Sequence, residues 1–509
     1  MSPSSFLLRA ALSLCFIGGF LACGGGGGGS SATATPTPGP TLTTAPRAQA
    51  GYVGDHVTFR VVAEGSGSSY QWLRNGTAIP SATADSYELV VAAADDQARF
   101  SVRVTAAGGG VTTSPDAVLD VLWADPAVKA GHDHALAITT KGRVYAWGVG
   151  GNGQLGLGDW QARLAPAAVT LPAPAVQVAA GWGHSLALLN DGRVFSWGAN
   201  TKGQLGDGTT TPRNAPAAVS GLTHVVYIAC GYDHNLAVKD DGSVWFWGYN
   251  ALGQLGFGDK VDRLSPTLSS VNGNALNDVA LGALHTLLLA GSTVYGSGDN
   301  GYGQLGFPYS PTTEYLTWTS LGVSARAIRT HSLFSLLIST NGVPYGTGEN
   351  VYGPLGDGSQ TTRYGWVAMG TSGLAGNLTD VVPGQYHTLL LGDAGSAAVG
   401  YNWYGQLGLG AASPTPTTSA QAISSLTAIQ ASASYGSSYA TMADLTVRAW
   451  GYNNNGRLGD GTETDHPTPT VVPGLFLGPL PTGVTPPPPV APGLAKPVRG
   501  INPAAAASR

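Results

Sequence analysis

One short element, Gly-x-Leu-Gly, recurs along the chain at Gly153, Gly203, Gly253, Gly303, Gly353, Gly405 and Gly456. The steps are 50, 50, 50, 50, 52 and 51 residues, so seven copies of one module occupy most of a 509-residue protein. The second copy reads AGWGHSLALLNDGRVFSWGANTKGQLGDGT from Ala180, and the third reads CGYDHNLAVKDDGSVWFWGYNALGQLGFGD from Cys230. Each copy offers four short strand-like runs, as in VQVAAG, SLALL, RVFSW and the late P-x-x-V of Pro216 to Val219. A unit this small cannot bury both its faces alone and must stack on its neighbours. Four strands taken seven times predict an all-β, seven-bladed β-propeller, whose radial closure protects strand edges.

Only 10% of residues are charged and the net charge is −5, which leaves no basic footprint for nucleic acid or an anionic membrane. Residues 1–22 carry Arg9 and then a thirteen-residue apolar run, Ala10 to Ala22, too short to span a bilayer but suited to a signal peptide. The run ends at Cys23, followed by Gly24 to Gly29, and resembles the lipobox of bacterial lipoproteins. That resemblance implies cleavage before Cys23 and its lipidation, a lipid anchor being the only expected membrane contact. An ordinary signal peptide with an incidental cysteine is the alternative. With Cys15 and Cys23 so assigned, Cys230 is left without a disulfide partner.

Residues 23–46 read as a flexible Gly/Thr/Pro linker, and 475–509 as a disordered Pro/Ala-rich tail. Between the linker and the repeats, residues 47–122 hold alternating runs such as Val57 to Val61, Tyr70 to Leu73 and Arg99 to Val104, which predict a small β-sandwich. Their spacing resembles bacterial immunoglobulin-like domains. Trp72 falls on the third strand, Phe100 at the usual corner tyrosine, and Val61 and Val102 where bridging cysteines would stand.

The repeat itself, G-x-x-H-x-L, then W-G-x-N, then G-Q-L-G-x-G, resembles the regulator of chromosome condensation family over residues 127–473. The resemblance implies a propeller spanning 123–474. The motif Trp survives as Trp147, Trp197, Trp247 and Trp450, but Ser297, Thr347 and Val399 replace it, so the middle units should pack less well. Asn200, Asn250, Asn300, Asn350, Asn402 and Asn453 suit a left-handed turn residue. His134, His184, His234, His285 and His387 recur one per unit, too widely spread to share a metal, and are expected to bond turn backbone. The first unit begins without a P-x-x-V strand, so the last one, Pro467 to Val472, is expected to complete the blade begun at Ala127.

Other motifs lead nowhere. Two Gly-x-Gly-x-x-Gly matches, from Gly148 and Gly296, fall in the repeat loop with no helix after them, which rejects dinucleotide binding. The acids around Asp460 lack calcium-loop spacing, and no nucleophile elbow or paired-Cys zinc motif occurs. No catalytic residue, cofactor or metal is therefore expected. In a four-stranded antiparallel blade the first and third connections share a face. Here they gather Trp182, Tyr232, Tyr302, Tyr352, Tyr386, Trp403 and Tyr404, together with Tyr249, Tyr435 and Tyr452. Such aromatics with few charges are typical of interface hot spots, though blade packing would also use them. The expected function is non-enzymatic binding of a protein partner, less readily a glycan, by an envelope-anchored or secreted monomer, with enzyme inhibition or adhesion as special forms. The family resemblance implies an alternative, guanine-nucleotide exchange on a small GTPase.

Overall fold

Period-two strands dominate the computed structural model, which describes residues 37–310 and 313–478. The expected signal peptide, Cys23 and most of the tail lie outside the described residues. Among those described, regular structure is strand apart from three single-turn 3₁₀ segments.

The amino-terminal unit is two-layered. Gln49–Tyr52 runs parallel to Ala117–Leu122, which pairs with Arg99–Thr105, then Ser69–Arg74, then Thr77–Ala78. His56–Arg60 and Ser86–Val90 form the second layer. Their inward positions, Phe59, Trp72, Phe100, Val102 and Leu119, are fully buried, with Phe59 stacked on Phe100 at 4.7 Å. The boundary expected at residue 47 is corrected. Leu42–Thr44 already pairs with Val62–Ala63, so the end of the expected linker belongs to this unit.

From Ala127 the chain forms seven antiparallel four-strand units in sequence order, the first being Ala127–Ala130, His134–Ile138, Val144–Gly148 and Arg163–Val169. The fourth and fifth are joined by one long strand, Glu314–His331. Its first half is the outermost strand of one unit, and its second half is the innermost of the next. The last unit comprises Ala428–Ala433, Ser437–Met442, Thr446–Gly451 and His466–Phe476.

Two expectations are corrected here. The carboxy-terminal strand pairs with Thr446–Gly451 of its own unit and does not complete the first, which is whole without it because Ala165 to Val169 already supplies its fourth strand. Unit seven meets unit one by side chains and loops instead. Val128, Trp147, Leu458, Leu475 and Leu477 share a core, Gly461 N–H donates to Leu164 at 2.9 Å, and Thr140 N–H to Leu477 at 2.7 Å. The repeat unit therefore extends past residue 474. The contact is the one found elsewhere: Gly158 donates to Asn214 and Gly208 to Leu264 in the same way.

The middle units are not uniformly depleted. The glycine closing each Gly-x-Leu-Gly sits against an indole: Gly156 on Trp197, Gly206 on Trp247, Gly459 on Trp147. Where Ser297 and Thr347 replace the motif Trp, Trp318 and Trp366 arrive from the fourth strand and cover Gly256 and Gly306. Among the described residues, only Gly356 of these glycines has no indole over it, Met369 and Val399 filling the place.

Candidate interaction face

The loops that build one face are held by a repeated polar chain. His134 donates from Nε2 to Ser185 Oγ in the next unit at 2.8 Å, and that hydroxyl donates to the Gln154 carbonyl of the Gly-Gln-Leu-Gly loop. His234 with Thr286, His285 with Ser335 and His387 with Ser438 repeat it, and Asn235 takes the hydroxyl's place for His184. The histidines thus bond across units and not to their own turn backbone, which corrects that expectation. A hydroxyl has one proton, already given to the carbonyl, so the histidine must be the donor. Burial drives the imidazole pKa of His134, His234, His285 and His387 down to about 3, keeping them neutral. The turn glycine is demanded by the ring, since a Cβ on Gly181 would lie 2.2 Å from His184.

The asparagines also act through side chains. None has a positive φ, contrary to expectation. Asn200 Oδ1 accepts from Leu205 N–H at 2.9 Å, while Nδ2 donates to the Thr209 and Thr211 carbonyls, and Asn350 and Asn453 do likewise. A buried amide satisfied on both ends fixes the loop that carries the aromatics.

Residues just after the turn glycine point inward. His132 Nε2 lies 3.1 Å from Gln385 Oε1, joining units one and six, and Tyr232 Oη is 3.4 Å from His331 Nδ1, joining three and five. Contacts between units that are not neighbours place these side chains around a shared centre. The His132 ring is 5.4 Å from Trp182, 6.2 Å from Tyr232 and 5.3 Å from Tyr435. From Tyr435 the rings continue to Tyr386, Tyr404 and Tyr452, and from Tyr386 to Tyr352 and Tyr401. Ten rings form one connected patch.

Of the seven residues expected to bind a partner, Trp182, Tyr302 and Trp403 are exposed, at 41%, 44% and 55%. Tyr232, Tyr352, Tyr386 and Tyr404 are half-buried within the patch, Tyr232 between the His132 and His331 rings. Tyr302 and Trp403 join none of these ring pairs. Sequence reasoning missed His132, His331 and Tyr401, the first two because only the fourth histidine of G-x-x-H repeats. Burial, then neighbouring Tyr435, pushes the Tyr404 phenol up to about 12. Asp133 behaves oppositely. Burial alone would raise it, but His132 and Arg457 hold it down at about 2. Among the described residues no three His, Cys, Asp or Glu side chains are grouped as a metal site would need.

The amino-terminal unit attaches at the other face. Lys141, in the second connection of unit one, donates to Asp96 at 2.7 Å and Val121 at 2.9 Å and pairs with Asp120. Trp123 N–H donates to Thr140, and Tyr52 to Asp125 at 2.5 Å.

Known proteins share this architecture. Yeast RCC1 (Prp20), solved bound to Kap60, superposes with a TM-score of 0.57 at 20% identity, over 69% of this chain and 85% of that one. Prp20p from Saccharomyces cerevisiae, described with its binding to Gsp1p and histones, gives 0.56 at 20% identity over 68% and 87%. Human WBSCR16 gives 0.54 at 23% over 64% and 88%. These likenesses show an RCC1-type propeller fold. Among curated proteins, the human probable E3 ubiquitin-protein ligase HERC6 is 39% identical over 66 residues, 13% of this chain and only 6% of that protein. The RCC1-like domain family matches over residues 60–288 and 175–484, most of the sequence, and the chain belongs to that family.

Proposed function

We propose that this chain is a non-enzymatic binding protein whose seven units are the blades of one closed ring and whose aromatic face engages a protein partner. The connected patch of ten rings carries this reading, with Trp182, Tyr302 and Trp403 standing exposed around it. Aromatic side chains offer large contact area at small entropic cost, and the centre is already ordered by hydrogen bonds. The attachment through Lys141 leaves that face uncovered by the amino-terminal unit, which serves as an immunoglobulin-like spacer above a lipid anchor at Cys23 on the bacterial envelope. A glycan is the less favoured ligand, and no cofactor or nucleic acid is required.

The test is capture with the intact chain as bait. Trp182→Ala with Trp403→Ala should lose the partner at unchanged melting temperature, since both rings are exposed. Undiminished capture refutes the reading. Membership of the RCC1-like family supports a second reading, exchange of guanine nucleotide on a small GTPase, and nucleotide release on addition of the purified chain would establish it.

A further inference from the structure

Among the described residues, one carboxylate beside the patch accepts neither a hydrogen bond nor an ion pair. Asp133 is held by Arg457, Asp233 by Gln204 at 2.9 Å, and Asp299 by Gln304 and the Gly301 N–H. The carboxylate of Glu349, half-buried, has no hydrogen-bond or ion partner among the described residues. Its place is fixed by register. Glu349 N–H donates to the Leu333 carbonyl at 3.0 Å, as Tyr401 N–H does to Tyr386 and Tyr452 N–H to Gly436. Glu349 therefore stands in unit five where units six and seven carry tyrosines of the patch. Tyr352, three residues on, lies 5.0 Å from Tyr386 and 4.8 Å from Tyr401. That register sets the Glu349 carboxylate beside the patch, and its charge adds to burial in raising the phenols of Tyr232 and Tyr386.

A buried charge without a partner is costly and is relieved when an opposite charge arrives. The tyrosine rings of the patch carry negative π density on their faces, which also favours a cation. The patch already uses this chemistry, the Arg457 guanidinium lying 4.6 Å from the Tyr452 ring centre, and outside it Lys202 lies 4.9 Å from the Tyr249 ring centre.

We propose that Glu349, with Tyr352, Tyr386 and Tyr401, is the receptor for one lysine or arginine side chain of the partner polypeptide. The proposal rests on the aromatic face being the binding surface, and supplies the charge of what binds there. A neutral glycan would leave Glu349 unsatisfied.

The experiment uses the full chain, ring-¹³C-labelled at tyrosine, titrated with a Ser-Lys repeat octapeptide and with its Ser-Glu counterpart. The lysine peptide should shift the Tyr352, Tyr386 and Tyr401 resonances, identified from single Tyr→Phe variants, and the glutamate peptide should not. Glu349→Gln keeps the shape and should weaken the lysine peptide by at least about fivefold at unchanged melting temperature, as loss of a charge pair and its π support requires. Equal binding by Glu349→Gln, equal binding of the acidic peptide, or no shift at these three rings overturns the proposal. If Glu349→Gln still captures the partner while Trp182→Ala with Trp403→Ala does not, the cation receptor fails and the aromatic face stands.

Discussion

Arg457 in the seventh unit grips Asp133 in the first, guanidinium to carboxylate at 2.6 Å, across 324 residues of sequence. Every other junction but one presents a glutamine at Arg457's position, and Gln204 holds Asp233 in the corresponding way. The Arg457 carbonyl meanwhile accepts from Trp147 Nε1 at 2.8 Å, as Gln154 accepts from Trp197 and Gln204 from Trp247. The junction that joins the two ends of the repeat region thus keeps the backbone contact of the others and adds an ion pair. It lacks their histidine–hydroxyl chain, since Ser437 stands for the histidine and Ala135 for the hydroxyl.

Arg457→Ala should therefore destabilise the fold by about 2–4 kcal/mol, leaving a largely buried carboxylate with His132 as its remaining partner. Arg457→Gln, which restores the common residue, should recover more than half of that in chemical denaturation. If the two variants unfold alike, the pair does not close the structure.

Acid should find the same place. Asp133 titrates near 2 in the folded chain, below its ordinary 3.8, so its contribution is complete above about pH 4 and is lost as pH falls toward 2. Asp133→Asn should flatten that limb of the stability curve.

The histidines act at higher pH. Four sit at about 3 when folded against 6.5 when free, so the unfolded chain binds more protons between those values. Stability should fall as pH drops from about 6.5 toward 3, and each His→Phe variant should reduce the slope by about one proton. A slope unchanged in His234→Phe would show that this ring is not held neutral.

Indole replacement separates two kinds of tryptophan. Trp247 Nε1 donates to Gln204 at 3.0 Å, whereas the buried Trp366 Nε1 has no partner among the described residues. Trp247→Phe should cost about 1 kcal/mol more than Trp366→Phe, the value of one buried hydrogen bond.

The carboxy-terminal strand gives a length test. Leu475 and Leu477 are buried in the core shared with Val128 and Trp147. A stop after Pro473 should cost about 3–5 kcal/mol through loss of two buried leucines.

Much of this was legible in the sequence. Repetition of Gly-x-Leu-Gly gave the units and their four strands, because a fixed period repeats one local solution. It could not reveal that His184 reaches Asn235 or that Arg457 reaches Asp133, since both bonds cross between units and neither partner is set by local spacing. Trp318 and Trp366 were hidden for a related reason: they fill the motif tryptophan's space from a different strand. On the aromatic face, topology offered the candidate rings but not which of them stand exposed, because that depends on packing between loops of different units. The central role of His132 and His331 was hidden too, because it depends on residues from non-neighbouring units meeting.

Photocrosslinking on the intact chain in the cells that make it tests the central claim most directly. Benzoylphenylalanine placed at Trp403 on the aromatic face, and separately at Asp240 in the second connection of unit three, between His234–Lys239 and Ser243–Gly248 and so on the face that Lys141 marks, reads which side meets the partner. Adducts from position 403 and none from 240 are predicted; adducts from 240 alone would contradict the account.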